Sequence, residues 1–206
     1  MQKWDIPGDY NKLAPPFGGL PVSVKTAKMG SPIGLGDVLR QRSIDSPFLM
    51  IVGFWRQRTP TEKWFEEIGA VVFLPEIWSK LWGTLTFESI SDIDKYIKNL
   101  RIDFASARTA AKQWKNKHVL ESGSELVINP KIDSKTQRRI QCSLPFKVFW
   151  RIAGRSPAPC DAPTLFDKAF ENPVLSGARI INREIKTSEP ALLTPSGPLQ
   201  SQHKLD

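Results

Sequence analysis

The sequence predicts a mainly β, α+β fold in which mixed or antiparallel strands are flanked by two or three helices. Three observations carry this expectation. Two β-branched and aromatic runs stand close together early in the chain. A helical period of apolar residues follows, and strand-rich text then returns. At 206 residues there is room for one large domain, or one domain plus a tail. Seven Trp and eleven Phe supply large apolar area for its core.

Residues 1–36 are rich in Pro and Gly and read as a loop or arm rather than a packed element. The first strand is Pro47 to Arg56, apolar on both faces and therefore central. A polar loop, Gln57 to Lys63, leads to a second strand, Glu67 to Leu74. Pro75 opens a helix, because a first helical turn does not need the missing N–H. Ile77, Trp78, Leu81 and Trp82 give that helix an apolar stripe, and Gly83 ends it. Ser89 or Ser91 is the expected cap of a second helix, with Ile90, Ile93 and Ile97 inward. Phe104 to Lys117 is an Ala-rich third, broken near Gly123. Glu125 to Ile128 starts a strand, and Arg139 to Ile152 reads as further strand. The chain turns loop-like after Gly154, Ala178 to Thr187 suggests a last strand, and a Pro/Ser-rich linker or tail occupies 188–206. The main domain thus spans 37–187.

A formal charge of +8 favours an anionic partner. Between Lys131 and Arg155 lie seven basic residues and a single acid, Asp133, which concentrates most of that excess. Lys131, Lys135 and Arg151 suit phosphates, whereas Gln137, Arg138, Arg139 and Gln141 have the amide and guanidinium groups that read base edges. A weaker basic group, including Arg40, Arg42, Arg56, Arg58 and Lys63, flanks the first strand, diluted by Glu62, Glu66 and Glu67. The expected partner is double-stranded DNA, with no cofactor needed for binding. Interleaved rings at Phe146, Phe149 and Trp150 leave RNA binding or a protein-interaction module as an alternative, although alternation favours burying them. Cys142 and Cys160 have no metal-ligand spacing, and His118 and His203 stand far apart. Without a signal-peptide run or a 20-residue apolar stretch, a cytoplasmic, non-membrane setting with free thiols is expected.

The order strand, basic loop, strand, Leu-Pro and amphipathic helix is carried by FLMIVGFW (48–55), RQRTPTEK (56–63) and AVVFLPEIWSKLW (70–82). This text resembles the start of a B3-like DNA-binding pseudobarrel. Such domains occur in plant transcription factors and as recognition or effector domains of some type II restriction endonucleases, where two arms clasp the major groove. The resemblance implies an open pseudobarrel whose first arm is Arg56 to Lys63, including Gln57. Its second arm falls in SKTQRRIQCS, 134–143. It also implies a C-terminal catalytic domain in the same parent chain.

The alternative is a complete Mg²⁺-dependent endonuclease. Its metal-binding carboxylates, followed by an Asp/Glu-x-Lys pair, have two placements: Asp161 with Glu184 and Lys186, or Asp103 with Asp133 and Lys135. The pattern is short and common by chance, and an exposed alternating strand or a basic hairpin explains the same residues.

Overall fold

A computed structural model of the protein describes residues 19–175. Over them the fold is α+β, with two principal sheets that stay separate and open. In the first sheet, β3 (Phe48–Gln57) lies between β1 (Val22–Lys28) and β4 (Glu62–Phe73), and β9 (Val174–Leu175) pairs at the tip of β4. β1 runs parallel to β3, whereas β3 and β4 form a long antiparallel hairpin with a bulge after Phe54. The second sheet has the order β2 (Ile33–Asp37), β6 (Arg138–Leu144), β5 (Val127–Ile132), antiparallel throughout.

The central place expected for the first strand is confirmed, and its two apolar faces have different partners. Phe48, Met50, Val52 and Phe54 enter the main core. Leu49 and Ile51 point the other way, onto Ile68 and Leu165. Leu165 belongs to a small hairpin, β7 (Thr164–Leu165) with β8 (Lys168–Ala169), which covers that side.

The helices follow the predicted periods. A short α1 (Val38–Arg42) precedes β3. In α2 (Pro75–Lys80), Pro75 stands in the first turn; Trp78 and, just beyond the helix, Leu81 and Trp82 are buried. Gly83 closes the turn at φ +58°, and a Cβ there would lie 2.0 Å from the Ser122 carbonyl oxygen, so only glycine fits. α3 (Phe87–Lys98) buries Ile90, Ile93 and Ile97 as expected, but its cap is Thr86, whose hydroxyl accepts from the Ser89 N–H. Ser89 Oγ instead accepts from Trp114 Nε1. α4 (Phe104–Trp114) runs into a π-helical turn, Lys115–Val119.

Two further expectations are corrected. Residues 22–28 and 33–37, read as part of a loop or arm, are strands; their glycines and prolines punctuate short strands at the sheet margins. The run from Arg139 to Ile152 is strand only to Leu144. After Pro145 it forms α5 (Phe146–Ile152). Phe146, Phe149 and Trp150 stand at i, i+3 and i+4, so helical winding brings all three rings against Phe54, at 5.1, 5.6 and 5.3 Å between centroids. α5 also crosses β4 closely: a Cβ on Gly69 would come within 2.5 Å of the Phe149 ring. Residues 1–18, the strand expected over 178–187 and the tail lie outside the described residues.

Candidate nucleic-acid interface

The two proposed arms are both antiparallel hairpins, but their electrostatics differ. In the first, strand pairing continues through Gln57 and resumes at Glu62, leaving only 58–61 as the turn. Gln57 uses its amide to tie that turn, donating to the carbonyls of Thr59 (2.7 Å) and Pro60 (3.2 Å). Arg56 donates to the buried Glu66 carboxylate at 2.8 Å, and Arg58 reaches the same carboxylate at 3.1 Å. Arg58 also pairs with Asp161 and lies 4.1 Å from the Trp64 ring centre. The hydrogen bonds it donates, first to Asp161 and then to Glu66, hold its guanidinium above the usual arginine range. Lys63 rests on Trp55 at 4.3 Å. The first arm is thus largely compensated from within.

The second hairpin is not. β6 alternates strictly: Arg138, Ile140, Cys142 and Leu144 are buried, while Arg139, Gln141 and Ser143 face outward. On β5, Asn129 and Lys131 share that outward side. Register places Lys131 directly opposite Arg139, and Asn129 opposite Gln141. Lys135 and Gln137 are exposed in the connecting turn, which the Ser134 hydroxyl closes by accepting from the Gln137 N–H. The nearest acid is Asp133, loosely placed at 3.8 Å from Arg139.

One predicted base reader is removed from this surface. Arg138 is 6% exposed, and its Nη1 donates to the carbonyls of Ile97 (3.1 Å), Asn99 (3.2 Å) and Ile102 (2.9 Å). A cation thereby caps the C-terminus of α3, where orphan carbonyls and the helix dipole favour positive charge. Arg151 belongs to α5 and pairs with Glu125 at 2.7 Å, which raises its pKa. Arg155 stacks on Trp150 at 4.4 Å and bonds the buried Glu67 at 3.1 Å. Glu67 also accepts from the Ala158 N–H, so this arginine latches the loop after α5 onto β4.

The fold adds residues that the charge pattern did not single out. Lys115, at the start of the π-helical turn, donates to Asn129 Oδ1 at 2.9 Å and so overhangs the outer face of β5. π-turns inside helices often mark functional positions. Burial, then the neighbouring Arg40, lowers the Lys25 pKa.

The nuclease candidates do not converge among the described residues. Asp161 is exposed and engaged with Arg58, while Glu184 and Lys186 lie outside the described residues. Asp103 caps α4, accepting from the Ser106 N–H at 2.9 Å; the Ser106 side chain first, then that N–H, hold its carboxyl below the usual range. Asp133 stays with Arg139 in the hairpin. Among the described residues no three His, Cys, Asp or Glu side chains gather to hold a metal ion. No helix among them is long and apolar enough to cross a membrane. Cys142 is a core residue, and burial pushes its thiol up to about 12. No family model, curated protein or solved structure matches the chain.

Proposed function

We propose that the protein binds double-stranded DNA through the outward side of the β2–β6–β5 sheet and the tip of its β5–β6 hairpin. The observation that carries this reading is the pairing of Lys131 with Arg139 directly across the ladder. Like charges at opposed positions destabilise a hairpin by a fraction of a kcal/mol, and the exposed Arg139–Asp133 pair, at 3.8 Å, offsets only part of that repulsion. A phosphate backbone laid across the pair relieves that repulsion and releases counterions. Lys115 and Lys135 extend the same positive surface, and Asn129 and Gln141 lie between the charges as groups able to contact bases.

The first hairpin has a secondary role, because Glu66 and Asp161 already hold its arginines. Phe149 and Trp150 are buried, so they do not supply a stacking platform for single-stranded bases. Together with the B3-like sequence pattern, this favours the recognition or effector domain of a restriction endonuclease as the biological setting.

The test is fluorescence anisotropy with labelled duplex DNA at several salt concentrations. Four phosphate contacts, from Lys115, Lys131, Lys135 and Arg139, predict a slope of about −3.6 in log K against log salt. A flat response overturns the proposal.

A further inference from the structure

We infer that the Lys115–Asn129 pair makes this face selective for guanine in the major groove. The inference rests on the duplex-DNA reading above and adds the base class to it. An ammonium group has only donors, so the Asn129 atom held at 2.9 Å from Lys115 Nζ is the amide oxygen. The amide nitrogen is therefore turned the other way, and among the described residues its two N–H groups have no acceptor.

Asparagine reads adenine by a two-way contact: its oxygen accepts from the N6 amino group while its nitrogen donates to N7. Here the oxygen faces a lysine. An adenine amino group brought to it meets a positive donor at the same place. Guanine presents two acceptors instead, N7 and O6. Those match the free Asn129 amide donors, which the Lys115 ammonium orients by holding the amide oxygen. The adjoining rung, Lys131 opposite Arg139, also consists of donors alone. Gln141, opposite Asn129, is the neighbouring amide of the row. Beyond it Asp37 closes the row with its Oδ1 engaged by the Arg40 N–H at 2.9 Å.

A duplex recovered by selection from random sequences provides the probe. It is compared with the same duplex carrying 7-deazaguanine, which keeps pairing and phosphate charge but lacks the N7 acceptor. The wild-type chain is expected to prefer the guanine duplex about tenfold, within the range for one bidentate base contact. Asn129→Ala should bind both duplexes equally, with an unchanged salt slope. Lys115→Gln should admit adenine at the selected guanine and shallow the slope by about one contact. Equal wild-type affinity for the two duplexes, or a selected consensus without guanine, overturns the inference while a steep salt slope preserves duplex binding. A flat salt response overturns both.

Discussion

Arg138 and Arg139 are neighbours in sequence with opposite duties, and replacing each with alanine separates them. Arg138 Nη1 has two protons to share among three carbonyls, so its loss removes about two charge-assisted hydrogen bonds. Each contributes about 1.5–3 kcal/mol net. The buried Nε has no partner, and the variant no longer has to bury that group, which offsets part of the loss. Arg138→Ala should therefore cost about 3 kcal/mol and lower the Tm by about 6–12 °C in a domain of this size. Arg139 is exposed, with one loose ionic neighbour, and Arg139→Ala should leave the Tm within about 2 °C while weakening duplex binding. Thermal unfolding by circular dichroism, with anisotropy measured well below the transition, reads both effects. An Arg138→Ala protein that melts like the wild type but no longer binds DNA would falsify the capping role.

Four further outcomes follow from the same contacts. Glu66→Gln should release Arg56, while Asp161 still holds Arg58, tightening low-salt duplex binding several-fold and steepening the salt slope by about one contact, at a cost of about 1–2 kcal/mol given the exposure of Arg56; unchanged affinity would show that the first hairpin does not meet DNA. Gly83→Ala should cost about 3 kcal/mol or more in urea unfolding, since both the positive φ and the Ser122 carbonyl oppose a side chain; a wild-type midpoint would contradict the turn. At pH 8, Ellman's reagent should modify exposed Cys160 in the native protein but reach Cys142 only on unfolding. Its folded pKa is raised from 9.0 to about 12, so the unfolded thiol ionises first, and stability from this group should fall as pH rises from about 9 toward 12. Replacing Cys142 with alanine should remove that part of the alkaline slope, and an unaltered slope would refute the assignment.

Wherever local periodicity controlled the outcome, the sequence was legible. The central strand, the Pro75 helix and the Ile90–Ile93–Ile97 face were each readable because burial repeats every second residue in a strand and every three to four in a helix. The Phe146–Ile152 segment reads as strand in the sequence because a short apolar run satisfies both periods; the aromatic contacts with Phe54 favour the helix. Strands β1 and β2 were hidden among prolines and glycines, since their partners, β3 and β6, are distant in sequence.

The candidate site divides in the same way. Composition and clustering by themselves determined that positive charge gathers around residues 131–155, because charge is a property of residue type. Only the tertiary structure decided which charges are available. It turned Arg138 inward to cap α3, left Arg139 on the surface, and set Glu66 and Asp161 against the first arm. It also brought Lys115 over Asn129. Those outcomes depend on which side of a pleat a residue falls and on what distant segment packs against it, and neither quantity is local to the chain.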